Sequence, residues 1–169
     1  NLASYGACLM LRAATLKDLN ELLFIEEQAH HYPWSKATLQ WCIEQHHIHC
    51  FVLYENHKLK NRELIGFAVY EYVIDEATLL NIAIHPFMQG KGFGKQLLQQ
   101  SLLLIDHDIK KIFLEVRISN TAAQQLYKNT GFTAFGIRKN YYPTATGKED
   151  AQLFTLEMEQ YRALHASTL

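Results

Sequence analysis

The segment Gln89-Gly90-Lys91-Gly92-Phe93-Gly94-Lys95 places three glycines and two lysines between a β-rich apolar run and an amphipathic stretch. Glycine lets a backbone turn tightly and come close to a ligand. The free N–H groups at the start of a helix, helped by its dipole, favour an anion, and Lys91 and Lys95 add positive charge. A pyrophosphate suits such a turn. The P-loop pattern G-x-x-x-x-G-K-S/T is absent, and the G-x-G-x-x-G spacing of dinucleotide sites is broken. The structural alternative is that these glycines only end a strand.

Two further residues could move protons. Ile112, Leu114 and Val116 alternate as one strand face, which puts Phe113, Glu115 and Arg117 on the other. Glu115 is then either a carboxylate set into a site or a solvent-facing residue balanced by Arg117. Tyr127 lies one turn from the end of a short helix, where an aromatic residue either packs in the core or offers its hydroxyl. Trp34, Tyr141 and Tyr142 fall in loops or at strand ends, as rim packing or as contacts to a ligand. Nine histidines raise the question of a metal, but His46, His47 and His49 near Cys42 and Cys50 match no metal-binding spacing, so no metal is expected.

The elements that must position these groups can be read from periodicity. Cys8–Ala13 reads as a strand. Thr15 with Asp18 starts a helix on which Leu19, Leu22, Leu23 and Glu26 recur at helical spacing. Ser35 caps a second helix to about Gln45. Ile48–Glu55 and Leu64–Ile74 read as strands joined by a polar turn, Asn56–Glu63, and Ala77–His85 as another strand. A helix follows from about Gly92 to Asp106, with Leu97, Leu98, Leu102 and Ile105 as its apolar stripe. Lys111–Ile118 is a strand, Asn120 caps a short helix that Gly131 ends, and Phe132–Tyr141 and Gln152–Met158 are closing strands. This order predicts a mixed α/β sheet covered by helices.

The chain has 169 residues, 49% of them hydrophobic, with 16 basic and 17 acidic side chains. That length fits one domain with its own core. The near balance of charge gives no long-range pull toward nucleic acid or an anionic membrane. Three cysteines without a CxxC pair make no disulfide framework and point to a reducing cytoplasm. No apolar run approaches the roughly 20 residues that span a bilayer. Asn1–Leu9 lacks the basic-then-apolar pattern of a signal peptide, and Met10 is a candidate native start.

Taken together, Gln89-x-x-Gly92-x-Gly94 at a strand-to-helix turn resembles the coenzyme A signature of the GNAT acetyltransferase superfamily. Its neighbours sharpen the likeness: Leu80 to Pro86 before the turn, Leu114-Glu115-Val116-Arg117-x-Ser119-Asn120 after the helix, then Ala122-Ala123, Leu126-Tyr127, Gly131-Phe132, Arg138-x-Asn140-Tyr141-Tyr142-Pro143 and Glu149-Asp150-Ala151. With Tyr32-Pro33-Trp34-Ser35 and Asp75 to Leu79, these resemble the bacterial ribosomal-protein-alanine N-acetyltransferase family over roughly Leu11 to Met158. Gly90 stands where that family often has a basic residue, Phe87-Met88 is unusual before the turn, and the tail after Met158 has no counterpart.

The resemblance implies a GNAT fold in one domain, residues 1–169, with a core of about 11–158 and terminal extensions 1–9 and 159–169. It implies acetyl-CoA as co-substrate, held by Gln89, Gly90, Lys91, Gly92, Phe93, Gly94, Lys95 and Asn120, with the main chain of Ile82, Ala83 and Ile84 pairing with the pantetheine arm like an added strand. It further implies Glu115 as general base and Tyr127 as general acid. Trp34, Tyr141 and Tyr142 would line a groove for the N-terminus of an acceptor, a ribosomal protein beginning with alanine in the cytoplasm. Acetylation of a small amine or a lysine side chain, and a coenzyme-A-binding module without catalysis, are the alternatives. No direct contact with nucleic acid or membrane is expected.

Overall fold

The computed structural model of the chain describes residues 8–56 and 63–166. The expected turn at Asn56–Glu63 falls almost wholly outside these residues, as do most of the N-terminal extension and the last three residues of the tail. Seven strands form one mixed sheet: β1 (Cys8–Ala13), β2 (Ile48–Asn56), β3 (Glu63–Val73), β4 (Glu76–Ile84), β5 (Lys111–Arg117), β6 (Thr133–Thr144) and β7 (Gly147–Glu157), in the order β1-β2-β3-β4-β5-β7-β6. Five helices accompany them: α1 (Leu19–Ala29), α2 (Lys36–Glu44), α3 (Phe93–Leu104), α4 (Thr121–Thr130) and α5 (Met158–His165). The mixed α/β class expected from the sequence is the class observed. Among the described residues no helix is long and apolar enough to cross a membrane.

The chain divides into two compact units, residues 1–69 with 81–101, and residues 70–80 with 102–169. In the first, β1 runs antiparallel to β2, from Cys8–Asn56 to Ala13–Phe51. The start of α1 is set by charge. Asp18, almost wholly buried, accepts from the Thr15 main-chain N–H at 2.8 Å and from both Arg12 guanidinium nitrogens at 2.7 and 2.8 Å. Ser35 caps α2 by accepting from the Thr38 N–H. The apolar stripe of α1 then packs Leu22 and Ile25 against Leu39 of α2 and Val52, Phe67 and Val69 of the sheet.

In the second unit, β5 lies antiparallel to β7 along its whole length, and β7 continues into a hairpin with β6 that extends to Thr144–Gly147. The hairpin is longer than its residues suggest, because β6 is an edge strand and tolerates Pro143. Ile112, Leu114 and Val116 are buried while Phe113, Glu115 and Arg117 are half-buried, as the alternation predicts. Asn120 caps α4 by accepting from the Ala123 N–H, and Gly131 ends it at φ 111°. The tail contains a helix that the sequence did not announce. Met158 and Tyr161 of α5 are buried, and Arg162 donates to the carbonyls of Ile105, Asp106, His107 and Ile109.

The Arg12–Asp18 contact makes stability depend on pH. Hydrogen bonding from Arg12 holds the Asp18 carboxyl below the usual carboxylate range. A depressed folded-state pKa stabilises above the unfolded value of about 3.9, and the benefit is lost as pH falls through the folded value. Asp18→Asn is expected to cost about 2 kcal/mol at pH 7, the scale of hydrogen bonds to a buried charge. In urea unfolding followed by circular dichroism, the gap between wild type and variant should narrow as pH drops below about 4.

Candidate active site

The expected site residues fall into two groups, one in each unit. In the first unit, β4 ends at Ile84, a 3₁₀ turn covers Pro86–Met88, and α3 begins at Phe93. Between them the chain adopts left-handed conformations at Gly90 (φ 72°) and Gly92 (φ 84°). A Cβ built on either glycine meets no protein atom within 4 Å, so the space before the turn is open. The glycines are therefore required by backbone conformation rather than by crowding. Lys91 and Lys95 are exposed beside that space. Gln89 folds back, its side-chain amide donating to the Ile84 carbonyl at 3.0 Å, which ties the turn to the end of β4. Ile82 and Ile84 are half-buried and Ala83 buried. Trp34, in the turn between α1 and α2, is half-buried, and its main-chain N–H donates to Glu26 at 3.0 Å.

The parallel ladder between β4 and β5 pairs Glu76–Lys111 through Leu79–Leu114. Among the described residues it goes no further, so the last five residues of β4, from Leu80, continue beyond it. A main chain released from its ladder offers N–H and C=O groups to a ligand that carries amides.

In the second unit, Glu115 does not pair with Arg117. Arg138 lies 3.1 Å from its Oε1. The Glu115 carboxylate holds the Tyr141 phenol above its ordinary pKa. Arg117 instead reaches Glu149 at 2.9 Å and donates to the Pro143 carbonyl at 2.7 Å, with its guanidinium 4.6 Å from the centre of the Tyr142 ring. Arg138 lies 4.9 Å from the Tyr141 ring in the same way. Burial pushes Tyr142 up to about 12.

These aromatic residues are aimed by a bulge. β6 runs four residues from Arg138 to Tyr142 while β7 runs two, from Ala151 to Glu149. Asn140 within it has φ 50°, and Asp150 holds it by accepting from the Asn140 N–H at 2.9 Å and from Lys139 at 3.0 Å. Bulges re-aim side chains in this way. The roles of Arg138, Glu149 and Asp150 were missed in the sequence, because partners from separate strands leave no spacing to read.

Tyr127 is only 5% exposed, edge-on to Phe132 and tilted on Phe154. Burial raises its pKa well above the ordinary phenol value. Asn120 spends its side-chain oxygen on the α4 cap. The histidines near Cys42 are placed apart from these groups in sequence, with His47 edge-on to Trp41. Among the described residues no three His, Cys, Asp or Glu side chains gather as a metal site would require.

The Acetyltransferase (GNAT) family model matches residues 13–132. The chain belongs to the GNAT acetyltransferase family. It is 41% identical to the [ribosomal protein bS18]-alanine N-acetyltransferase of Escherichia coli K12 over 143 residues, covering 82% of this chain and 90% of that one. The Haemophilus influenzae enzyme of the same description is 43% identical over 131 residues, covering 77% and 85%. The crystal structure of the ribosomal-protein-S18-alanine N-acetyltransferase from Escherichia coli superposes with a TM-score of 0.79 at 36% identity, covering 89% of this chain and 94% of that one. This family member is accordingly an acyltransferase, and GNAT acetyltransferases use acetyl-CoA.

The open space before the turn yields a stability prediction. A side chain at φ 84° costs about 1 kcal/mol of strain, less for Asn than for Ala. Gly92→Ala should lower the unfolding free energy by about that amount, and Gly92→Asn by less than half of it. Equal losses in urea titration would show that crowding, not conformation, keeps the glycine.

Proposed function

We propose that this chain transfers the acetyl group of acetyl-CoA to the N-terminal α-amino group of a protein, a ribosomal protein that begins with alanine. The observation that carries the reading is identity of 41% across most of both chains with an enzyme of that description. The catalytic core is residues of about 11–158, and the acceptor places the activity in the cytoplasm.

The left-handed glycines, the two lysines and the α3 N-terminus fit a pyrophosphate. The main chain of Ile82, Ala83 and Ile84 fits the amide-bearing arm. Asn120 contributes through the start of α4. Acetyl-CoA supplies an activated acyl group with a thiolate as its leaving group. The chain must then handle two protons. An α-ammonium has a pKa of about 8 and is not nucleophilic until it loses one. Glu115 takes that proton, directly or through water, onto a carboxylate kept in place by Arg138. The amine nitrogen bonds to the acyl carbon as the carbon–sulfur bond breaks, Tyr127 gives the sulfur its proton, and the second proton that the nitrogen sheds on becoming an amide returns through water to the Tyr127 phenolate. The raised pKa of Tyr127 keeps the phenol protonated throughout the working range. Contacts with the acceptor are assigned to Trp34, Tyr141 and Tyr142, and a short N-terminal side chain is the expected preference.

Glu115→Gln should keep the fold and acetyl-CoA affinity while lowering kcat by about 10²- to 10⁴-fold, the span of a lost general base. Tyr127→Phe should lower kcat with little change in affinity, and the two losses need not add. For the wild type, kcat should rise with pH to a plateau and show no falling limb up to about pH 10, because the acid stays protonated there. Normal turnover in both folded variants would remove these groups from the reaction.

The acceptor is tested separately. A peptide with a free N-terminal alanine should turn over faster than a blocked peptide with an internal lysine, since an α-amine gives up its proton about two pKa units sooner. Gly92→Asp should weaken acetyl-CoA binding in calorimetry by setting a negative charge against the pyrophosphate. Faster turnover of blocked lysine peptides or polyamines would refute the α-amine reading while leaving the acetyltransferase intact.

A further inference from the structure

Among the described residues the most deeply buried charged side chain is Glu26 of α1, only 1% exposed. It sits on the stripe that buries Leu22 and Ile25, where an apolar side chain would pack at no electrostatic cost. Both of its oxygens are used. Oε1 accepts from the Trp34 main-chain N–H at 3.0 Å, and Oε2 accepts from the Asn81 side-chain amide at 2.8 Å. The other end of Asn81, Oδ1, faces His30 Nε2 at 3.0 Å, and that nitrogen lies 3.7 Å from Glu26 Oε2.

The orientation of this network follows from its chemistry. Turning the Asn81 amide over would point its oxygen at a carboxylate, so the nitrogen faces Glu26. Asn81 Oδ1 can then only accept, and His30 carries a proton on Nε2. Trp34, Glu26, Asn81 and His30 thus form a continuous chain of hydrogen-bonded partners.

This chain of bonds joins two segments with separate tasks. Trp34 belongs to the turn between α1 and α2, and Asn81 immediately precedes Ile82–Ile84 in β4. We propose that Glu26 is a positioning residue for the acceptor, tying the Trp34 turn to β4 so that the incoming amine meets the thioester at a fixed depth. This rests on the acceptor and thioester roles proposed above for Trp34 and for Ile82–Ile84. Glu26 touches neither substrate and acts through the residues it holds. A buried carboxylate suits the task because it accepts from two donors on different segments at once, which no apolar residue can do.

The test combines kinetics with a readout independent of activity. Glu26→Ala leaves the Trp34 N–H and the Asn81 amide without their acceptor. Its KM for an N-terminal alanine peptide should rise about tenfold, the scale of one lost hydrogen bond to a charge, and kcat should fall severalfold. The acetyl-CoA Kd in calorimetry should stay within about twofold, because the phosphate turn is untouched. Glu26→Gln should recover most of the loss. Its carbonyl still accepts from Trp34, and its amide reaches Asn81 Oδ1 once that amide turns over and His30 changes tautomer. A Glu26→Ala protein with a lowered unfolding midpoint but unchanged KM and kcat per folded molecule would overturn the proposal, leaving Glu26 a structural residue. A Glu26→Ala protein that does not fold is replaced by Asn81→Ala, which must give the same KM and kcat pattern in smaller degree.

Of the chain's two tryptophans, Trp41 is half-exposed, and Trp41→Phe makes Trp34 the sole indole. In that background Glu26→Ala should shift Trp34 emission to the red and increase its quenching by acrylamide. Unchanged emission and quenching would overturn the clamp whatever the kinetics. If the wild type acetylates no N-terminal peptide, the proposed activity fails, and the fluorescence result still decides whether Glu26 holds the turn.

Discussion

The structure turns on a ladder that stops. β4 and β5 pair for four residues and end at Leu79–Leu114, while β4 continues to Ile84. Parallel strands normally stay buried and paired along their length, because every main-chain N–H and C=O removed from water needs a partner. A strand that outruns its neighbour has polar groups to spend on something else. Beyond that stretch the 3₁₀ turn at Pro86–Met88 and left-handed Gly90 and Gly92 lead to the start of α3 at Phe93, so strand, turn and helix N-terminus follow in that order. The acetyl-CoA proposed above, with amides at one end and phosphates at the other, would meet main-chain groups in that order. Side chains there have supporting tasks: Gln89 closes the turn on Ile84, and Lys91 and Lys95 add charge.

The second unit solves a different problem, keeping polar side chains of β5, β6 and β7 at fixed positions. Glu115, Arg138, Tyr141, Tyr142, Arg117 and Glu149 interlock through ion pairs and ring contacts. The order is made possible by the bulge in β6, whose cost is concentrated at Asn140 in the left-handed region. Asn bears that conformation better than most residues. Asp150 compensates by binding the Asn140 main chain and the neighbouring Lys139. The same hairpin therefore carries both the distortion and its support.

Legibility in the sequence follows how local each interaction is. The caps at Ser35 and Asn120, the Thr15–Asp18 start and the period-two face of β5 are read within a few residues, and each matches the structure. The length of the β6–β7 hairpin was obscured by Pro143 and Gly147, which read as breakers unless the strand is known to lie at an edge. α5 follows β7 with no side-chain cap at Glu157, and Arg162 holds it through carbonyls more than fifty residues away. The alternative of Glu115 balanced by Arg117 looked to a neighbour in sequence, whereas Arg138 is the neighbour in space. Glu26 left a local trace: a carboxylate on an apolar helical stripe either breaks the stripe or has buried donors to meet, and here it has two.

The proposed acid and base occupy opposite environments. Tyr127 lies among Phe132 and Phe154, where a charged phenolate is disfavoured and the proton is retained until a thiolate forms. Glu115 lies half-exposed in a polar cluster, with one oxygen against Arg138 and room on its remaining lone pairs for a water or an amine. Exchanging the two environments would strip both groups of their use: a carboxylate among the phenylalanines would hold its proton, and a phenol beside Arg138 would give its proton up early. Acid and base are thus separated by their surroundings rather than by intrinsic acidity alone. A closely packed helix supplies one setting and a bulged sheet edge supplies the other, so the two kinds of secondary structure in this unit do different electrostatic work.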